Sequence, residues 1–222
     1  FDTEIEVEIK GQLRNERIYY TVDGQDPDST SLAYTKPIVI TKNTVLKAIS
    51  YKDGWYPSTI SSRSYNKIRY TIPDLTVKYP PKEQYPGVHK LIDLSRGSEN
   101  FRDGKWNGYQ DDVVATIDMQ KEIDLHKIAV NCLEGIGSYI FFPTKIEVYA
   151  GKTELTMEKL NELILPPTDR DRDIKLKNFE IEVESVKARY IKIVLKNIGK
   201  LPDWHEGAGS DAWIFVDEIM IL

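Results

Sequence analysis

The chain has 222 residues, of which 41% are hydrophobic and 29% charged, enough apolar material for a core and too much for wholesale disorder. Its 30 Lys and Arg against 35 Asp and Glu leave a net charge of -5, which supplies no basic surplus for a phosphate backbone and argues against nucleic acid. No apolar run approaches the roughly 20 residues of a membrane span, which argues against membrane insertion, and the single cysteine excludes an internal disulfide.

In chain order, the opening Phe1-Asp2-Thr3 has neither an initiator Met nor a signal peptide, the expected start of a piece of something longer. Glu4 to Ile9 alternates apolar and acidic residues with the period of a strand. The same period returns at 18–22, 146–148, 181–183 and 191–195, with Asp23-Gly24, Asp53-Gly54, Asp103-Gly104 and Gly135-Ile136-Gly137 as turn formers between. Short alternating strands with this punctuation predict an all-β chain folded as β-sandwiches. One segment reads otherwise: Leu160 and Leu163, three apart behind Thr156, predict a short helix over 156–163. Three prolines between Val77 and Gly87 cannot donate to a ladder, so residues 67–87 read as a semi-rigid linker between modules at 1–66 and 88–222.

In the first module, Tyr20-Thr21-Val22-Asp23-Gly24-Gln25-Asp26-Pro27, Tyr34, Pro37-Ile38 and the strand reaching Lys47-Ala48 resemble the small immunoglobulin-like module near the C-terminus of chitobiases and other β-N-acetylhexosaminidases. Asp23 and Asp26 read as turn makers rather than ligands or acids. The second module opens with His89 to Ser98 and closes with Ala212 to Ile219, an order that resembles the discoidin or coagulation-factor type C family. That family shares its jelly-roll sandwich with galactose-binding carbohydrate modules. Asn100 to Tyr109, Ile136 to Pro143 and Pro202 to Gly209 look like stretches in the tails of bacterial family-20 hexosaminidases. The resemblance implies the non-catalytic C-terminal region of an exported, periplasmic or cell-surface β-N-acetylhexosaminidase. Its partners would be an N-acetylhexosamine- or galactose-containing glycan and an upstream catalytic barrel of the same chain. The alternative is a discoidin-type adhesion module binding a protein or cell-surface partner.

The residues themselves point to sugar. A sugar site wants an exposed aromatic plane with nearby donors and acceptors. Trp204 and His205 lie between Pro202 and Gly207-Ala208-Gly209, Trp106 between Gly104 and Gly108 with Arg102 close by, and Tyr139 after the Gly135-Ile136-Gly137 loop. These five residues are the candidate carbohydrate-contacting set; for Trp106 core packing is an equal reading, and for Trp213 it is the favoured one.

The related carbohydrate modules hold calcium with an Asp near the start, a Ser or Thr five residues on and a Glu near the end. The resemblance therefore implies a calcium site at Asp93, Ser98 and Glu218, with Leu94 standing where the family usually has Gly. The other reading of Glu218 is a salt bridge to a neighbouring cation.

No catalytic residue is assigned. The Asp217-Glu218 pair matches the dyad of family-20 enzymes in type, but that dyad needs a barrel of about 250 residues, and strand alternation would put the two carboxylates on opposite faces. Cys132 lies in an apolar run and reads as buried and inert, and His89, His126 and His205 have no metal-ligand spacing.

Overall fold

A computed structural model describes residues 1–85, 91–168 and 170–222. The end of the expected linker (Pro86-Gly87), the expected start of the second module at position 88, and His89 lie outside the described residues. The chain divides into two compact units, Phe1–Arg69 and Tyr70–Leu222, and both are all-β: among the described residues there is no α-helix.

The first unit holds β1 (Ile5–Val7), β2 (Arg17–Thr21), β3 (Leu32–Ala33), β4 (Ile38–Ile40), β5 (Thr44–Tyr51) and β6 (Ser61–Tyr65). β1 pairs antiparallel with β4, and the other four form an antiparallel sheet in the order β3-β2-β5-β6. The alternation read at Glu4 to Ile9 delivers Val7 to a small core with Ile40 and Leu46, against which Phe1, Ile5, Tyr20 and Tyr65 pack from both sheets. Asp23 makes the expected turn, its carboxylate accepting the Gln25 N–H at 3.1 Å beside Gly24 at φ 82°, while Asp26 pairs with Lys47 at 2.7 Å.

The second unit holds β7 (Leu75–Val77), β8 (Asn107–Tyr109), β9 (Val113–Glu134), β10 (Lys145–Gly151), β11 (Glu158–Ile164), β12 (Lys175–Lys196) and β13 (Ile214–Ile221). β9 and β12, 22 residues each, run antiparallel along almost their whole length as one ribbon, broken by register shifts between Glu182 and Val186 and between Ala188 and Tyr190. One half of the ribbon pairs with β7 and β10, the other with β13, which in turn pairs with β8. The two halves thereby serve different layers, and their inward residues meet in one core: Ala115 and Ile117 from one half, Ile128, Val130 and Cys132 from the other.

Burial along β9 shows why. Val113, Ala115, Ile117 and Met119 are buried in strict alternation, as in a strand with one face in water, whereas from Ile128 to Glu134 every residue is buried. The second face of that stretch is covered by a separate apolar cluster of Trp106, Leu133, Ile140 and Phe215, capped by Tyr85, Phe101 and Trp213.

Two expectations are corrected here. The segment expected to be helical is strand β11, preceded by a 3₁₀ turn at Glu154–Thr156. A bulge opposite Val148 and Tyr149 skips Leu160, so Leu160 and Leu163, three apart, both pack on the core. The 67–87 stretch is also more than a spacer, since Leu75–Val77 pairs with β9 and Leu75 is buried.

Candidate functional site

The loop 199–211 is closed on itself by backbone bonds: Leu201 N–H to Ser210 O at 2.9 Å, Gly209 N–H to Leu201 O at 3.0 Å, and Ser210 N–H to Gly207 O at 3.0 Å. Its inner pin is His205, only 4% exposed. The Gly207 N–H donates to His205 Nδ1 at 2.9 Å, so Nδ1 is the acceptor and Nε2 carries the proton that it donates to Ile136 O at 2.9 Å. Ile136 belongs to a 3₁₀ turn, Ile136–Ser138, ended by Tyr139 in the left-handed region at φ 67°. Tyr139 meets the His205 ring edge-on at 5.2 Å and lies so close to Gly207 that a Cβ there would stand 2.8 Å from its ring.

Trp204 is carried on this scaffold and remains 37% exposed, its ring 5.8 Å from His205 and 6.2 Å from Phe141. Arg170 lies over it, and Arg172 pairs with Glu206 at 3.0 Å, tying a third segment to the same loop. An exposed indole and a tyrosine on backbone-fixed turns, with a guanidinium of five donors over the indole, can hold a flat ligand with an apolar face and a hydroxyl rim.

The five sequence-derived residues do not form one surface. Tyr139, Trp204 and His205 come together, but His205 spends both ring nitrogens on backbone and holds the loop instead of presenting to a sugar. Trp106 is 0% exposed, its indole N–H donating to Ser98 O at 2.9 Å, so the contacting role expected for it is corrected to core. Arg102 is exposed and stacks on Phe101, within the cluster that contains Trp106. Sequence reading missed Arg170 and Arg172, although alternating Asp and Arg after Pro166-Pro167-Thr168 marks a polar loop rich in donors.

Glu218 is buried, and neither carboxyl oxygen has a partner in hydrogen-bonding geometry. Burial, with the charges of Asp217 and Asp93 added to it, pushes its carboxyl up to about 9, and the Leu94 N–H and Arg96 offset only part. Asp217 is raised to about 6 by burial, although Asn131 Nδ2 at 2.7 Å and Gly97 N–H at 2.6 Å donate to it. The register shift between Val216 and Glu218 breaks strand alternation here, so both carboxyls meet the 93–97 segment, contrary to the expected opposite faces. Leu94 takes φ 59°, the left-handed conformation that suits the glycine usual at this position.

Ser98 does not join Glu218. Its N–H and hydroxyl both donate to Asp103 Oδ2, at 2.7 and 2.8 Å, which corrects its expected place in a cation shell. Among the described residues no three His, Cys, Asp or Glu side chains are grouped to hold a metal. Asp93 lies near enough for its charge to bear on Glu218, and carboxylates with backbone carbonyls are the donor types a hard cation takes. Cys132 is buried, and burial holds its thiol well above the usual range, as an inert thiol requires. No helix among the described residues is long and apolar enough to cross a membrane.

Residues 7–65 match the model of the family described as Fn3 associated. No curated protein matches the chain. Similar solved structures include the C-terminal domain of a chitobiase from Bacteroides fragilis, 17% identical over 69% of this chain and 95% of that one with a TM-score of 0.45. Another is a CBM32 module of a Clostridium perfringens GH89 protein in complex with GalNAc-β-1,3-galactose, 16% identical over 67% of this chain and 92% of that one, TM-score 0.42. A third is a truncated AlyQ with CBM32 and alginate lyase domains, 13% identical over 68% of this chain, TM-score 0.42, of which the chain spans 32%.

Proposed function

We propose that the second unit is a carbohydrate-binding module and that the chain is an accessory, non-catalytic region of an exported β-N-acetylhexosaminidase. The observation that carries the reading is Trp204, a large aromatic left at the surface by a loop whose every turn is fixed by backbone bonds, with Arg170 over its ring. Fixing the ring before the sugar arrives removes an ordering cost from binding. Tyr139 supports the loop through its edge-on contact with His205, while Arg102 stacks on Phe101. The sequence stretches that resemble family-20 tails support the parent enzyme, whose catalytic barrel would be a separate part of it. N-acetylhexosamine- and galactose-terminated glycans are the ligands this reading names.

Calcium belongs to the same proposal. Asp93 and Glu218 would hold it with carbonyls of the turn between residues 93 and 98, and the ion would supply the positive charge that the buried Glu218 carboxyl lacks. A glycan array on this chain with and without a calcium chelator tests both parts. Retention of N-acetylhexosamine- or galactose-terminated glycans, lost in Trp204→Ala, is expected; no retained glycan in either condition overturns the reading.

A further inference from the structure

The first unit has a cleft of about 590 Å3, within the roughly 300–1,000 Å3 of ligand sites. β1 pairs with β4 only over Ile5–Val7. Beyond Val7 the chain leaves β1 and runs on through residues 8–13 without joining a strand, facing β2, β5 and β6 across the gap.

The inner side of β6 shows what the gap is for. Its cleft-lining residues are Ser61, Arg63 and Tyr65, two apart as on one strand face. Tyr65 packs on the core of Val7, Ile40 and Leu46, but Ser61 and Arg63, further along the same face, are exposed and polar. A strand closing a dry sandwich would carry apolar residues there. Glu16 enters from the opposite wall, its carboxylate held by the Leu13 N–H at 2.9 Å and seated against Gly11, where a Cβ would collide with it.

The rim is aromatic. Trp55 is 65% exposed and Tyr56 97% exposed, on a loop that backbone bonds hold in place. Trp55 N–H donates to Lys52 O at 3.0 Å around Gly54 at φ 80°, Ser58 N–H donates to Ser50 O at 3.0 Å, and Ser50 N–H donates to Ser58 Oγ at 2.9 Å. Two large aromatics side by side in water are an unfavourable use of apolar surface unless something covers them. Flat rings at the mouth, with a hydroxyl, a guanidinium and a carboxylate below, suit a ligand that has apolar C–H faces and many hydroxyls and no strong charge of its own.

We infer that this cleft is a second carbohydrate site, on the first unit, that takes a neutral oligosaccharide of at least two residues, with Trp55 and Tyr56 as its stacking rim. The inference stands on the first unit alone and survives or fails separately from the Trp204 platform.

The test is titration of the ¹⁵N-labelled whole chain with lactose, N,N′-diacetylchitobiose, cellobiose and maltose, following the indole N–H signals of its four tryptophans. At least one sugar should shift the Trp55 signal saturably, with a Kd of about 0.1–10 mM. Trp55→Ala, at an exposed rim position that the fold does not need, should weaken that site at least about tenfold as read from the Tyr56 and Arg63 amides; Trp204→Ala should leave it within about twofold. Shifts at Trp204 alone, no shift at Trp55 with any of the four sugars, or unchanged affinity in Trp55→Ala would each overturn the inference. A saturable shift with a neutral hexapeptide and with none of the sugars would overturn the ligand class.

Discussion

The guanidinium carbon of Arg170 stands 5.0 Å from the centroid of the Trp204 ring, on a segment also tied to the loop by Arg172 and Glu206. The cation steadies the indole and sets hydrogen-bond donors beside it, so the two side chains act as one platform. Trp204→Ala should therefore weaken sugar binding by at least about tenfold and Arg170→Ala by a smaller factor, about three- to fivefold. Arg170→Ala should leave thermal unfolding nearly unchanged, whereas Trp204→Ala, whose ring is only 37% exposed and meets His205 and Phe141, should cost about 1–3 kcal/mol without loss of the fold. Isothermal titration alongside a melting curve checks the pair; loss of fold in Trp204→Ala would recast the ring as structural.

Trp106 should behave in the opposite way. It fills the cluster over the second face of β9, and Gly97 is packed so tightly against it that a Cβ would stand 2.2 Å from its Nε1. Trp106→Ala should cost about 3–5 kcal/mol. Gly97→Ala should also destabilise, by forcing the indole off Ser98 O. Urea unfolding measures both, and a change in sugar affinity at constant stability in either variant would contradict the core assignment.

Glu147 provides a pH-dependent contribution. Burial alone would raise its carboxyl, but Lys159 and Lys145, both at 3.1 Å, outweigh burial and hold it at about 2. A folded value below the unfolded 4.5 gives stability that is fully present above pH 4.5 and is lost as pH falls toward 2. Glu147→Gln should cost about 1–2 kcal/mol at pH 7, after allowing for the partly exposed lysines, and the difference should vanish near pH 2. Parallel denaturation of the two proteins across that range provides the comparison.

Leu94 is 38% exposed and sits at φ 59°, where a Cβ is crowded by its own backbone. Relief of the strain is set against loss of the buried part of the side chain, so Leu94→Gly should raise stability by no more than about 0.5 kcal/mol. A decrease would show that the side chain contributes packing beyond its exposure.

Millimolar calcium should raise the melting temperature of the chain over a chelated sample, because a ligand bound only to the folded state stabilises it by mass action. Glu218→Gln should abolish the rise. Equal rises in the two proteins would remove Glu218 from the cation shell.

The sandwiches were legible in the sequence because a half-buried strand shows its inner face every second residue, as at Val113, Ala115 and Ile117. Bulges hid the rest. At β11 a skipped residue turned a strand into an apparent helical spacing, and at Asp217 another turned apparent opposite faces into a shared one. Trp106 and Trp204 have the same glycine-flanked, loop-like surroundings in sequence, yet one is fully buried and the other stays 37% exposed. The distinguishing clue lay elsewhere, in the apolar run from Ile128 to Leu133, interrupted only by Asn131. A strand buried on both faces demands a cover from some other loop, and Trp106 supplies it. The partial exposure of Trp204 was legible because its loop offers no such face to enter. The partnership of Arg170 with it spans 34 positions and depends on how β12 is delivered, which no local pattern states.

The ribbon of β9 and β12 also limits how the second unit can come apart. Each strand passes through both layers, so neither layer owns a complete set of strands, and peeling one away means cutting the same ladder that holds the other. The unit has no half that could open on its own. Its most slowly exchanging amides should therefore be shared between the layers, along Ala115–Ile117 and Ile128–Cys132 alike, and should exchange together, only when the whole unit unfolds.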